Sequence, residues 1–132
     1  MSVNERSAQE FLRKILQWAQ ACHIYRPDLI NFTNNASSVT FSNGSRIITL
    51  PSNPAALRGY SGNIIWDEAA LCENDLQMWE AMLPIISSEM NGVKKILVSS
   101  TPTSLDTIFS KIWHDQSGEW SKHKFTVVDA AN

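Results

Sequence analysis

Apolar residues recur at helical spacing near the start of the chain. They form a wide stripe within residues 5–22, made up of Phe11, Leu12, Ile15, Leu16 and Ala19. Polar side chains fall on the opposite face, at Arg13, Lys14 and Gln17. This spacing predicts a helix from about Glu5 to Cys22, with Asn4 as its N-cap.

The hydrophobic period changes to two between Ser37 and Leu50. Val39 and Phe41 alternate with polar neighbours, and a second β-type run follows the dipeptide Asn43-Gly44. An Asn-Gly pair between two such runs predicts a β-hairpin, because both residues tolerate positive φ. We expect this hairpin to extend the main sheet or to decorate its edge.

Two later apolar runs are short and continuous, Asn63–Trp66 and Lys94–Ser100. Continuous runs are typical of strands that are covered on both faces. A helix is predicted between them, from about Asn74 to Ser87, and Pro84 is expected to kink it or end its first half.

The remaining pattern predicts one more helix and one more strand. Thr103 or Ser104 could cap a helix that continues to about Trp113 and points four apolar residues inward, Leu105, Ile108, Phe109 and Ile112. The run Lys124–Asp129 is a third candidate strand. Strands separated by helices predict a single three-layer α/β domain over residues 1–132, with a mostly parallel sheet and helices on both faces.

Net charge, cysteine spacing and the length of the apolar runs argue against several classes of protein. The chain has 132 residues, 43% of them hydrophobic, and a formal charge of −2. This charge argues against a strongly basic module that coats nucleic acid, but not against a motor that touches DNA within a larger assembly. Cys22 and Cys72 have neither zinc-site nor CxxC spacing. No apolar run approaches the ~20 residues of a membrane helix, so we expect a cytoplasmic protein with no membrane contact.

Two adjacent carboxylates, Asp67 and Glu68, end the first buried run. Ligands of open α/β sheets bind outside the carboxyl ends of the strands. A nucleoside triphosphatase needs a carboxylate there for Mg²⁺ and a second group for the attacking water. Asp67 would hold the metal and Glu68 would polarise the water. Alternatively, the two acids simply start the next helix, where acidic side chains are favoured.

Small hydroxyl residues end the second buried run, at Ser99, Ser100 and Thr101. Hydroxyls at this place could hydrogen-bond a γ-phosphate or the attacking water, or the segment could be a plain strand exit closed by Pro102. Arg58 lies ten residues ahead of Glu68. Its guanidinium could stabilise transition-state charge, or it could be a solvated or salt-bridged arginine.

Other polar residues suggest no chemistry of their own. The three histidines, His23, His114 and His123, share no metal-ligand spacing and are predicted to be surface or packing residues. Trp113 and Trp120 could stack on bases but are more typical of a core. The basic cluster near the C-terminus, Lys111, Lys122 and Lys124, is predicted to be a solvated face.

Four segments resemble the large terminase subunits of tailed phages and prophages. They occur in the family's order at residues 45–48, 58–68, 97–102 and 120–124. The resemblance implies a P-loop NTPase-like fold, ATP and Mg²⁺ as cofactors, and a DNA-packaging motor that works as an oligomeric ring. It implies three partners: double-stranded DNA, a portal protein and a small terminase subunit.

The same resemblance assigns roles to the candidate residues. It places Mg²⁺ binding and catalysis on Asp67 and Glu68, and the coupling of hydrolysis to motion on Ser99, Ser100 and Thr101. It makes Arg58 a finger that acts on a neighbouring subunit.

The chain departs from the family in lacking a phosphate-binding GxxxxGK[ST] loop and a nuclease domain. We therefore expect a fragment, either truncated or a prophage remnant, with little or no ATPase activity alone. One alternative is an inactive module that serves only assembly or binding. Another is a fragment of a helicase-like motor, although the Arg58–Ser61 and Ser99–Pro102 segments favour a terminase.

Overall fold

The computed structural model describes residues 5–27, 31–87 and 92–130, which contain both helices and strands. In chain order the elements are α1 (Glu5–Tyr25), β1 (Phe32–Asn34), β2 (Ser38–Phe41), β3 (Arg46–Ile48), β4 (Ile64–Trp66), α2 (Asp75–Ser87), β5 (Ile96–Val98), α3 (Ile108–His114) and α4 (Val127–Ala130). Two 3₁₀ turns, Pro54–Leu57 and Ala69–Leu71, flank β4. This mixture confirms the α/β class.

The first predicted helix is confirmed as α1, which continues to Tyr25. Its buried side chains are Ala8, Leu12 and Ala19, while the polar face that carries Arg13 is exposed. Arg13 pairs with Glu10 one turn earlier, at 2.6 Å. The predicted cap, Asn4, lies outside the described residues.

The predicted hairpin is confirmed as β2 and β3, which pair antiparallel with Val39 opposite Ile47. Its turn differs from the expected one, because Gly44 has a positive φ of 84° and Asn43 does not. Gly44 N–H instead closes a turn onto Phe41 C=O at 2.9 Å, and the Asn43 side chain accepts from Ser45 N–H. Asn43 therefore acts as a local acceptor, and only the glycine supplies the left-handed conformation.

A third strand, β1, was not predicted and pairs antiparallel with β2. Phe32 of β1 packs on Phe41 with ring centroids 6.3 Å apart. These three strands form a sheet of their own. Within the described residues no backbone ladder joins it to the second sheet, so the hairpin does not extend the parallel sheet, which was the first of its two expected placements.

The second sheet consists of β4 and β5 in parallel, with Ile64 opposite Ile96 and Trp66 opposite Val98. At its entry, Lys95 N–H donates to the Asn63 side chain and Ile64 N–H donates to Lys95 C=O, each at 2.9 Å. These two bonds fix the register before the strands begin.

Only one face of this parallel pair is covered by the described part of the chain. Ile64 and Trp66 are buried, whereas Ile65 is 46% exposed and Leu97 is 59% exposed. The prediction that both strands are covered on both faces is therefore wrong for these residues. The sequence of the strands is continuously apolar, but burial alternates along them because the helices pack against one side only.

The covered face holds the main core. Helix α2 contributes Met78, Met82 and Ile85, spaced so that they share one side of the helix. They join Trp66 and Ile108 in one cluster of buried side chains. The helix does not end at Pro84 but continues to Ser87, so the proline lies close to the end of the helix.

Helix α3 begins later than predicted. Its N-cap is Thr107, whose hydroxyl accepts from Ser110 N–H at 3.1 Å, and not Thr103 or Ser104. Leu105 precedes the helix and is 78% exposed rather than inward. The first helical amide, Ile108 N–H, donates to the Asp75 carboxylate at 2.6 Å and so ties the starts of α2 and α3 together.

The predicted third strand at Lys124–Asp129 is wrong. Thr126 instead caps the short helix α4, because its hydroxyl oxygen accepts from Asp129 N–H at 3.4 Å. In return, the N–H and the hydroxyl of Thr126 each donate to the Asp129 carboxylate at 2.6 Å. These bonds lower the pKa of Asp129. Phe125, Val127 and Val128 are exposed, so no buried surface holds the β-branched run extended. The expected mostly parallel sheet with helices on both faces is thus limited, in the described residues, to two parallel strands and one covered face.

We expect Asp75→Ala to lower the free energy of unfolding by about 1–2 kcal/mol, because it leaves the Ile108 N–H without its acceptor. Urea denaturation measures the change. Asp106→Ala is the matched control, since Asp106 is exposed and its carboxylate has no hydrogen-bond partner in the described ranges. Equal losses in the two variants would contradict the role of Asp75.

Candidate functional site

The carboxyl ends of β4 and β5 lie side by side. Ser99 N–H donates to Trp66 C=O at 2.9 Å, and Ala69 N–H donates to Ser99 C=O at 3.1 Å. The backbone ladder therefore continues beyond both strands, to the residues on either side of the acidic pair. The parallel register brings the Asp67–Glu68 segment next to the Ser99–Thr101 segment.

Asp67 and Ser99 touch directly. The Ser99 hydroxyl donates to Asp67 Oδ1 at 2.8 Å. A carboxylate has two oxygens that together accept several bonds, so this contact orients Asp67 without using up its capacity. The alternative in which the acids start the next helix holds in part, because Glu68 is the N-cap residue of the 3₁₀ turn Ala69–Leu71, although its side chain makes no capping bond.

Glu68 has an unusual backbone. With φ 54° and ψ 39° it is left-handed, and it is the only non-glycine residue with positive φ in the described part of the chain. This conformation costs a side-chain-bearing residue about 1–2 kcal/mol. It reverses the chain immediately after β4 and leaves the Glu68 side chain exposed, with no capping bond to the turn that follows.

Ser100 and Thr101 are placed differently from Ser99. The Ser100 hydroxyl accepts from Ala70 N–H at 3.1 Å and donates to Thr101 C=O at 3.0 Å. It therefore supports the turn after Glu68, and it also lines the cleft that runs along β5. Thr101 is exposed.

Arg58 is not joined to the acidic pair. It follows the 3₁₀ turn Pro54–Leu57 as its C-cap, with extended φ and ψ, and it is exposed. Within the described ranges it forms no ion pair with Asp67 or Glu68.

Asp67 and Glu68 are the carboxylates at this edge of the sheet that could hold a divalent metal. No group of three or more His, Cys, Asp or Glu side chains could hold a metal among the residues that the structure describes. Mg²⁺ is usually bound by one or two carboxylates, with water and substrate phosphate completing its shell. Asp67, which is oriented by Ser99, and the exposed Glu68 are carboxylates of that kind.

The histidines take no part in this arrangement. His23 packs edge-on against Phe32, with ring centroids 6.4 Å apart. His114 Nδ1 lies 2.8 Å from Ser110 C=O of its own helix, and His123 Nε2 lies 2.9 Å from the Ser121 hydroxyl. These are packing and surface positions.

Comparison with known proteins decides the family. A family model described as terminase large subunit, T4likevirus-type, N-terminal, matches residues 1–131. This match covers almost the whole chain.

The chain belongs to the terminase large-subunit family.

A curated relative agrees with this assignment. The terminase chain is 30% identical over 137 residues to the Mu-like prophage FluMu protein gp28 of Haemophilus influenzae. The aligned region covers 96% of this chain and 26% of the relative, so the chain spans about a quarter of that protein's length. Over the described ranges, no helix of the terminase chain is both long and apolar enough to cross a bilayer.

Sequence reasoning missed two residues that build the terminase site. Thr103 donates its hydroxyl to Ala70 C=O at 3.0 Å, and the Asn63 side chain fixes the start of the parallel pair. Both are polar residues that flank an apolar run, where the sequence pattern indicates a helix cap for Thr103 and part of the strand for Asn63. Their partners are backbone groups about 30 residues away, and nothing local in the sequence signals such contacts.

The left-handed conformation of Glu68 makes a specific prediction. Glu68→Gly should be more stable than Glu68→Ala by about 1 kcal/mol, because glycine adopts this conformation without steric cost. Denaturant titration compares the two variants.

The matched pair is Glu73→Gly and Glu73→Ala, since Glu73 is exposed and has no positive φ. There glycine should be the less stable choice, because it loses more backbone entropy on folding. If Gly and Ala ranked the same way at both positions, Glu68 would not be strained.

Proposed function

We propose that the chain supplies the metal-binding and coupling part of an ATP-hydrolysing DNA-packaging motor. The observation that carries this proposal is the 2.8 Å bond from the Ser99 hydroxyl to Asp67, at the carboxyl ends of two parallel strands. Membership of the terminase large-subunit family supports the same function.

The two acids divide the chemistry between them. Asp67 is oriented by Ser99, and its remaining oxygen capacity is free to hold Mg²⁺ or a water of its shell. Glu68 is exposed beside it and orients and polarises the attacking water. Bound Mg²⁺ would neutralise the charge that develops on the transferred phosphoryl group.

Ser99 provides a route from chemistry to movement. Its hydroxyl contacts Asp67, while its backbone C=O holds Ala69 N–H, so a change at the metal-binding carboxylate reaches the turn through one residue. In this proposal Ser99 senses the state of the site. Ser100 and Thr101 continue the coupling segment.

We place the parallel pair within a larger sheet of the P-loop NTPase type. Parallel sheets are almost always covered on both faces, and two short strands are not stable in isolation. The exposed Ile65 and Leu97 support a further layer on that face. A cleft of about 720 Å³ runs along β5 and is lined by Ile96, Val98 and Phe109, among others.

Arg58 is proposed to act on a neighbouring subunit. Its exposure and its separation from the acidic pair support a role in trans over one in its own site. Such a finger requires a homo-oligomer. The remaining partners, double-stranded DNA, a portal protein and a small terminase subunit, are proposed from the family.

A second candidate function is an assembly or binding module that hydrolyses nothing. The observation that favours it is the exposed apolar face at Ile65 and Leu97, which could pack against a partner. No feature of the described residues favours a helicase-like motor over the terminase.

The test is ATP turnover by this chain joined at its N-terminus to a terminase segment that supplies a phosphate-binding loop. We expect Glu68→Gln to reduce kcat by about 10²–10⁴-fold, because the amide cannot accept the proton of the attacking water. Glu73→Gln is the control and should keep the parental rate, since Glu73 is exposed and lies outside the site.

Turnover by Glu68→Gln at the parental rate would remove Glu68 from the mechanism. If the parental protein itself bound no ATP, the assembly module would be the better account.

A further inference from the structure

The turn that follows Glu68 is held by hydroxyls from a distant segment. Ser100 Oγ accepts from Ala70 N–H at 3.1 Å, and Thr103 Oγ1 donates to Ala70 C=O at 3.0 Å. We call these two bonds the Ala70 clamp. A third bond, from Ala69 N–H to Ser99 C=O, lies directly before them.

These bonds satisfy backbone groups that water reaches poorly. Ala69 is fully buried and Ala70 is 7% exposed. A buried amide or carbonyl without a partner costs about 1–3 kcal/mol, so the clamp fixes the path of the chain firmly. The path is fixed on both sides of Glu68, because Trp66 C=O is also bonded to Ser99 N–H.

Glu68 lies between these two fixed points and has the left-handed backbone. A non-glycine residue remains in that conformation only where the surrounding structure enforces it. The ladder at Trp66 and the clamp at Ala70 together provide the constraint. Without the clamp, Glu68 could relax to a negative φ, and its carboxylate would point elsewhere.

We propose that Thr103 is a positioning residue for Glu68. It acts through Ala70, holding the strained turn that sets the direction of the Glu68 side chain. The importance of that carboxylate rests on the proposed function, whereas the constraint on the Glu68 backbone does not. The segment after β5 therefore controls both acids, Asp67 through Ser99 and Glu68 through Thr103.

The test uses two substitutions in the full chain. Thr103→Val keeps the shape of the side chain and removes the hydroxyl, and Thr103→Ser keeps the hydroxyl. A NOESY spectrum reports the conformation of Glu68. A left-handed residue gives an intense cross-peak between its own amide proton and Hα, because a positive φ brings these two protons closer together. We expect this signature in the parent and in Thr103→Ser, and its loss in Thr103→Val. A folded Thr103→Val protein that retains the signature would overturn the proposal.

A thermodynamic cycle covers the case in which Thr103→Val folds poorly. In the parent background, Glu68→Gly should have about a five-fold larger folding equilibrium constant than Glu68→Ala. In the Thr103→Val background, where Glu68 is released, the difference should fall below about two-fold. An undiminished five-fold difference would show that Thr103 does not constrain Glu68.

The outcomes separate this proposal from the proposed function. A failure of ATP turnover leaves the cross-peak and the cycle unchanged. Conversely, an unaltered Glu68 signature in Thr103→Val would show that Thr103 does not position Glu68. Asp67 and Glu68 would still be the candidate acids of the proposed function.

Discussion

The parallel pairing of β4 with β5 is the interaction on which the whole arrangement depends. Its register places Trp66 opposite Val98, so the two strands end at the same edge and their exits run side by side. Everything at the candidate site follows from that alignment. Shifting the register by one residue would turn Ser99 away from Asp67 and would exchange the buried Trp66 for the exposed Ile65.

This pairing is short, and it is stabilised by the packing of a strand side chain in a core shared with helix α2. Trp66 is fully buried against Met78 and Met82, although its indole N–H lacks a hydrogen-bond partner in the described structure. An indole buries about 200 Å², which corresponds to about 5 kcal/mol of hydrophobic stabilisation. The unpaired N–H costs about 1–3 kcal/mol, so burial outweighs it and the tryptophan still anchors the strand.

Sequence patterns identified the elements whose signals are local. The hairpin follows from Val39, Phe41 and the glycine at residue 44, and the position of the acids follows from the end of the Ile64–Trp66 run. Which residues cover the strands is not local information. Ile65 and Leu97 are as apolar as their neighbours, yet they are exposed because the helices occupy the opposite face.

The predicted C-terminal strand shows a conflict between two local signals. Its β-branched run favours an extended chain, whereas Thr126 and Asp129 have the spacing of a capping box, which favours a helix. Capping prevails because the apolar residues there are exposed and gain nothing from a sheet. The left-handed Glu68 and the clamp by Thr103 had no comparable signal, since both arise from contacts over about 30 residues.

The most direct test of this account is NMR scalar coupling through hydrogen bonds, which connects a donor nitrogen to its acceptor carbonyl carbon. The account predicts couplings from Ser99 N to the Trp66 carbonyl and from Ala69 N to the Ser99 carbonyl. The hairpin bond from Phe41 N to the Ser45 carbonyl serves as the reference. Resolving the hairpin coupling while both couplings at Ser99 are absent would contradict the placement of the acids beside the serine segment.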